Sequence, residues 1–237
     1  NRDYGQKNQY LYRDTNNTEL WSILPWDMDL SFGHQWNPSE NYFDDDLIWN
    51  DGAFVYMGGN HLIDRLISQP QFSQMYARRL RTLMDEFYGP AGQSIASSDI
   101  VQRINNLMAE IGCDALIDRN TWGTAAGMAF ETPTQAVARV QADFLAKRKI
   151  HLNALAGVPA SQVALPNVTF GTVDYTPTSG NQKQEYIALS NNSSTAVDIS
   201  GWTVSGSVNY TFKGGTVIPA NSTYYLVADV TEFKART

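Results

Sequence analysis

A chain of 237 residues with 43% hydrophobic and 12% aromatic content has room for one or two domains and enough apolar mass to bury a core, so it is not a disordered chain. Seventeen Lys and Arg against 24 Asp and Glu give a formal charge of −7, which argues against nucleic acid or an anionic membrane as the main partner, because both reward a basic face. A single cysteine, Cys113, excludes an intramolecular disulfide and is expected to be a small buried residue on a helix; no apolar run reaches the length of a membrane span, and no signal peptide opens the chain.

In chain order, Tyr10 to Arg13 and Leu20 to Leu24 alternate aromatic and polar residues as strands do, and Asp14-Thr15-Asn16-Asn17-Thr18 between them has turn composition, which predicts a hairpin. From Asn37 to Gly59 the chain is rich in Asp, Gly and aromatics without a clear period, as a long functional loop is. Helical stripes follow: Leu62, Ile63, Leu66 and Ile67; then, beyond Pro70, Phe72, Met75, Tyr76, Leu80, Leu83 and Phe87, stopped by Gly89-Pro90; then Ile100 to Ile111, between Ser98-Asp99 and Gly112. Thr132-Pro133-Thr134-Gln135 is a capping-box pattern that opens a last helix running to Gly157.

Residues 157–166 read as a linker. Beyond them the helical period gives way to short strands at Glu185 to Ser190, Trp202 to Val204, Tyr210 to Phe212 and Thr223 to Val227, separated by Asn, Ser and Gly turns, the spacing of an antiparallel sandwich. The fold class is therefore α+β: a mostly helical lobe with a β-hairpin over 1–156, joined to an all-β immunoglobulin-like sandwich over 167–237.

Asp3, Asn8 five residues later, and Asp27 just past the predicted hairpin follow the order in which a protein-kinase lobe sets out its base and metal-binding groups. Phosphoryl transfer needs one carboxylate near the attacking hydroxyl, with an amide oxygen and a second carboxylate to hold Mg²⁺ against the phosphates. Asp27 and Asp29 are two apart, so on a continuing strand they face the same way, and two like charges that share a site need a cation.

The segments Asn8-Gln9-Tyr10-Leu11-Tyr12-Arg13-Asp14 and Leu24-Pro25-Trp26-Asp27-Met28-Asp29-Leu30-Ser31-Phe32-Gly33 resemble the C-terminal part of the CotH kinase family, the spore-coat-type atypical kinases, densely over the first 33 residues and as a pattern to about residue 156. The resemblance implies that Asp3 is the catalytic Asp, that Asn8 and Asp27 hold metal with Asp29 the competitor, that Mg²⁺ or Mn²⁺ is the cofactor and ATP the phosphoryl donor, and that a coat or surface protein is the substrate. Arg148 lies where such chains carry an Arg on the last helix, either anchoring the loop of Asp27 or solvated. Glu185 to Asn191, Val197 to Trp202 and Ile218 to Val227 resemble the lamin-tail domain. Its final strands are expected to be missing.

Bland uses compete for the remaining features. Asp44-Asp45-Asp46 lacks the Gly and Glu of a calcium loop and reads as a solvated acidic run; His34, His61 and His151 have no His or Cys at ligand spacing; Trp21, Trp26, Trp36 and Trp49 suit packing around the hairpin better than a stacking platform; the sequons at Asn16, Asn167, Asn191, Asn192, Asn209 and Asn221 suit an Asn/Ser/Thr-rich composition.

The whole reads as a fragment of a secreted or cell-surface, most simply bacterial, protein Ser/Thr kinase. Its N-lobe with the phosphate-contacting Lys is expected to lie upstream, and the fragment alone is expected to be inactive. The alternative is a non-catalytic surface scaffold or adhesion protein with a structural kinase-like lobe and a β-sandwich binding module.

Overall fold

A computed structural model describes residues 9–16, 21–26, 31–33, 65–123 and 131–236. It forms two compact units, one of Asn1–Arg65 with Met84–Ala156, the other of Leu66–Leu83 with Gly157–Thr237.

The first unit begins with the hairpin. Strand β1 (Gln9–Arg13) pairs antiparallel with β2 (Trp21–Pro25) in the register Gln9↔Pro25 to Arg13↔Trp21. Tyr10, Leu11, Tyr12, Trp21, Ile23, Leu24 and Trp26 are all exposed, so Trp21 and Trp26 do not serve as core packing.

Helix α1 (Pro70–Phe87) carries Pro at its first position, where the missing N–H costs nothing. It stops at Gly89, whose φ of +77° favours glycine. The next helix, α2 (Asp99–Trp122), is capped by Ser98, whose hydroxyl accepts from the Val101 N–H at 3.4 Å. It does not end at Gly112 as the stripe predicts. A glycine inside a helix costs only about 1 kcal/mol, and neither a proline nor another glycine follows before Gly123, so the helix runs ten residues further, to Trp122. Cys113 is exposed rather than buried, because it lies off the side of α2 that packs inward.

The predicted capping box is present. The Gln135 N–H donates to the Thr132 hydroxyl, the Thr132 N–H donates to Gln135 Oε1 at 2.9 Å, and Pro133 opens α3 (Pro133–Arg139). The helix then widens into a π-helical turn over Val140–Leu145 before continuing as α4 (Ala146–Ala154). Among the described residues of this unit, Met84, Val101, Leu145 and Leu152 are buried apolar side chains. Lys149 is 7% exposed and its Nζ donates to the carbonyls of Tyr88 at 2.8 Å and Gln93 at 2.7 Å, closing the chain that leaves α1.

The second unit is built on an antiparallel sheet in the order β3 (Val168–Asp174), β4 (Tyr186–Asn191), β9 (Ser222–Val227). Two short pairs complete it: β5 (Val197–Asp198) with β8 (Val217–Ile218), and β6 (Thr203–Val204) with β7 (Tyr210–Thr211). Leu189, Val197, Ile199, Phe212 and Ile218 form the core, with Val168, Val204, Tyr210 and Tyr224 packed against it.

Asn191 organises one end of this core. Only 1% exposed, its Nδ2 donates to the carbonyls of Thr195, Ile218 and Pro219, while Oδ1 accepts from the Ser193 N–H and hydroxyl. Helix α5 (Val230–Lys234), capped by Asp229, follows β9 and sets Phe233 against Tyr186 at 5.3 Å.

The sequence reading carries the helical lobe unbroken to residue 156, whereas the structure groups Leu66–Leu83 with the β-strands. The reason is polar. Arg78, 4% exposed, donates from Nε to the Ala196 carbonyl and from Nη1 to the Ala160 carbonyl, each at 2.9 Å, and Arg79 Nη1 donates to Asp198 Oδ2 at 3.1 Å.

Candidate functional site

The hairpin is the frame of the predicted site. Because Gln9 pairs with Pro25, the chain enters and leaves the hairpin side by side. At that end Tyr10 and Trp26 meet edge to face, ring centres 6.3 Å apart. Asp3, Asn8, Asp27 and Asp29, the four predicted site residues, lie outside the described residues, as do His34, Trp36, Asp44-Asp45-Asp46, Trp49 and His61. Among the described residues there is no group of three His, Cys, Asp or Glu able to hold a metal ion.

Just past Asp27 and Asp29, the chain is described again at Ser31-Phe32-Gly33. Phe32 holds φ at 55° and Gly33 at 76°, two successive left-handed residues that form a tight turn. A phenylalanine there is uncommon and costs on the order of 1 kcal/mol, so the surroundings must impose it. Its ring contributes to that constraint: Phe32 packs edge to face on Phe144 of the π-helical turn, ring centres 5.9 Å apart and planes at 81°. Inserting one residue into the helical ladder re-aims the side chains after it. Neither the left-handed Phe32 nor the π turn leaves a mark in a hydrophobic pattern. Phe144 shows there only as one more apolar position.

Arg148 is half-buried on α4. Burial pushes the Tyr88 phenol above its usual value, and the positive charge of Arg148 pulls it partly back.

The second unit carries a different kind of site. An apolar groove of about 530 Å³ opens between the far end of the sheet and the β6–β7 pair, walled by Val173, Ile187 and Leu226 on one side and Val204 and Tyr210 on the other. The three sheet residues face one another across β3, β4 and β9 in register. Arg236, stacked over the Tyr186 ring at 4.8 Å and paired with Asp174, braces α5 beside it.

Two family models match the chain: CotH kinase protein over residues 1–152 and Lamin Tail Domain over residues 161–236. No curated protein and no solved structure matches it. The hairpin, the turn at Phe32 and helices α1 to α3 fall inside the first match, which ends within α4, and the immunoglobulin-like antiparallel strands inside the second. With well over half of its length accounted for by the first, the chain belongs to the CotH kinase protein family, and a Lamin Tail Domain follows its kinase-like part.

Proposed function

We propose that residues 1–156 are the catalytic lobe of a secreted or surface protein kinase that transfers the γ-phosphate of ATP to Ser or Thr of a protein. The observation that carries this reading is the hairpin register. It fixes side by side the two chain ends next to which Asn8 and Asp27 stand in the sequence, while the turn after Asp29 is pinned on a packed helix.

Asp3 orients the attacking hydroxyl and accepts its proton. Asn8 and Asp27 offer an amide oxygen and a carboxylate, hard donors that fit Mg²⁺ or Mn²⁺, and Asp29 is the alternative carboxylate. The ion supplies neutralisation of charge on the phosphates when bound.

The test is an experimental structure of the upstream-extended protein with Mg²⁺ and a non-hydrolysable ATP analogue. Side-chain oxygens of Asp3, Asn8 and Asp27 converging on one cleft support the proposal; Asp3 and Asp27 on opposite faces of the lobe overturn it.

The apolar groove favours a second role beside catalysis, in which the Lamin Tail Domain binds a partner and localises the lobe. With a degenerate lobe, this becomes the scaffold alternative.

A further inference from the structure

We propose that the face of the β module around Asp198 is a docking site for a helix bearing paired arginines, occupied in this chain by Leu66–Leu83. The carboxylate of this site is held by residues outside the helix as well as by the helix. Gln162 uses its side-chain amide as a strand would use its backbone, accepting from the Asp198 N–H at 2.8 Å and donating to the Asp198 carbonyl at 2.9 Å. Ser200 donates to Asp198 Oδ1 from both its N–H and its hydroxyl.

That leaves Asp198 Oδ2 facing the helix. With its side chain only 2% exposed, this carboxylate needs a cation, and Arg79 supplies it. Beside it, Arg78 donates from Nε to the Ala196 carbonyl and from Nη1 to the Ala160 carbonyl, two donors held at a fixed angle by the planar guanidinium.

The helix presents one face to this surface. Gln74 Oε1 accepts from the Ala220 N–H, Ala77 is small and buried, and Arg78 is 4% exposed. The contacts join residues 82 to 146 positions apart, so nothing local enforces them.

Hydrogen exchange on the full chain tests this, with Asp198→Asn, Arg79→Glu, Arg78→Lys and the charge swap Arg79→Asp/Asp198→Arg. The single variants should speed exchange of amides 74–83 by about tenfold or more, while those of Asp99–Trp122 and of β4 keep their protection. The swap should recover much of the loss. Unchanged exchange over 74–83 in Arg79→Glu, or a swap as fast as the single variants, overturns the proposal. Acceleration spread evenly over the chain marks general unfolding and equally contradicts a local docking site; the conservative Arg78→Lys separates the two outcomes if Arg79→Glu does not fold.

Discussion

Phe32 and Phe144 meet edge to face, ring centres 5.9 Å apart, and so join the turn that follows Asp27 and Asp29 to the π-helical part of the last helix. Such a pair contributes about 0.5–1.5 kcal/mol beyond its buried area, enough to offset the left-handed backbone at Phe32. Phe144→Ala should therefore lower stability by about 2–3 kcal/mol in chemical denaturation, and Phe144→Leu by clearly less. An equal effect of both would show that the ring contact is not what holds the turn.

Asp198 gives the second unit an acid limit. Burial pushes its carboxyl up, but hydrogen bonds from the Ser200 hydroxyl and N–H, the Thr82 hydroxyl and the Arg79 guanidinium outweigh it and hold the carboxyl below its ordinary 3.8. A folded value below the unfolded one means that the stabilisation is complete above the unfolded value. It is lost as pH falls from 3.8 towards the folded value. Asp198→Asn should cost about 1–3 kcal/mol at pH 7 and flatten the acid side of the stability profile, measured by denaturation across pH 2–7.

Lys149 caps two carbonyls from inside the first unit. Replacing it by Met keeps the aliphatic stem but leaves the Tyr88 and Gln93 carbonyls without their donor, so Lys149→Met should destabilise by about 1–3 kcal/mol. Thermal unfolding followed by circular dichroism reads this directly. A neutral or stabilising result would mean that water replaces the ammonium there.

Asn191 lies in a glycosylation-type triplet, yet its amide is spent on three carbonyls and is 1% exposed. Asn191→Ala should cost about 2–3 kcal/mol, and expression in a glycosylating host should leave this position unmodified. Intact-mass and peptide mapping check the second point.

The features legible in the sequence are those with a local cause. The hairpin, the Thr132–Gln135 capping box and strands β4 and β9 each announce themselves through turn residues, a cap or period-two alternation. Of the two-residue strands, β6 and β7 show in the sequence beside Trp202 and Tyr210, whereas β5 and β8 have no aromatic residue to mark them. In β3, a register shift between Phe170 and Val173 breaks the alternation, at a glycine whose added Cβ would lie 3.3 Å from that of Ala188. Arg78 and Arg79 read as ordinary helix charges, because the partners described for them on the β module and the segment before it are 82 to 121 positions away. Of the site, sequence supplies the residue types and their order, and Asp3, Asn8, Asp27 and Asp29 lie outside the described residues.

In the proposed mechanism Asp3 and Asp27 divide the work of phosphoryl transfer. The most direct measurement is radiolabel transfer from ATP to a protein acceptor by the upstream-extended protein, with each residue replaced by Ala. Asp3→Ala should lower turnover by about 10²- to 10⁴-fold with little change in ATP affinity, and Asp27→Ala should weaken Mg²⁺-dependent ATP binding itself. Transfer that proceeds in both variants as in the unaltered protein would show that no catalysis runs through these residues.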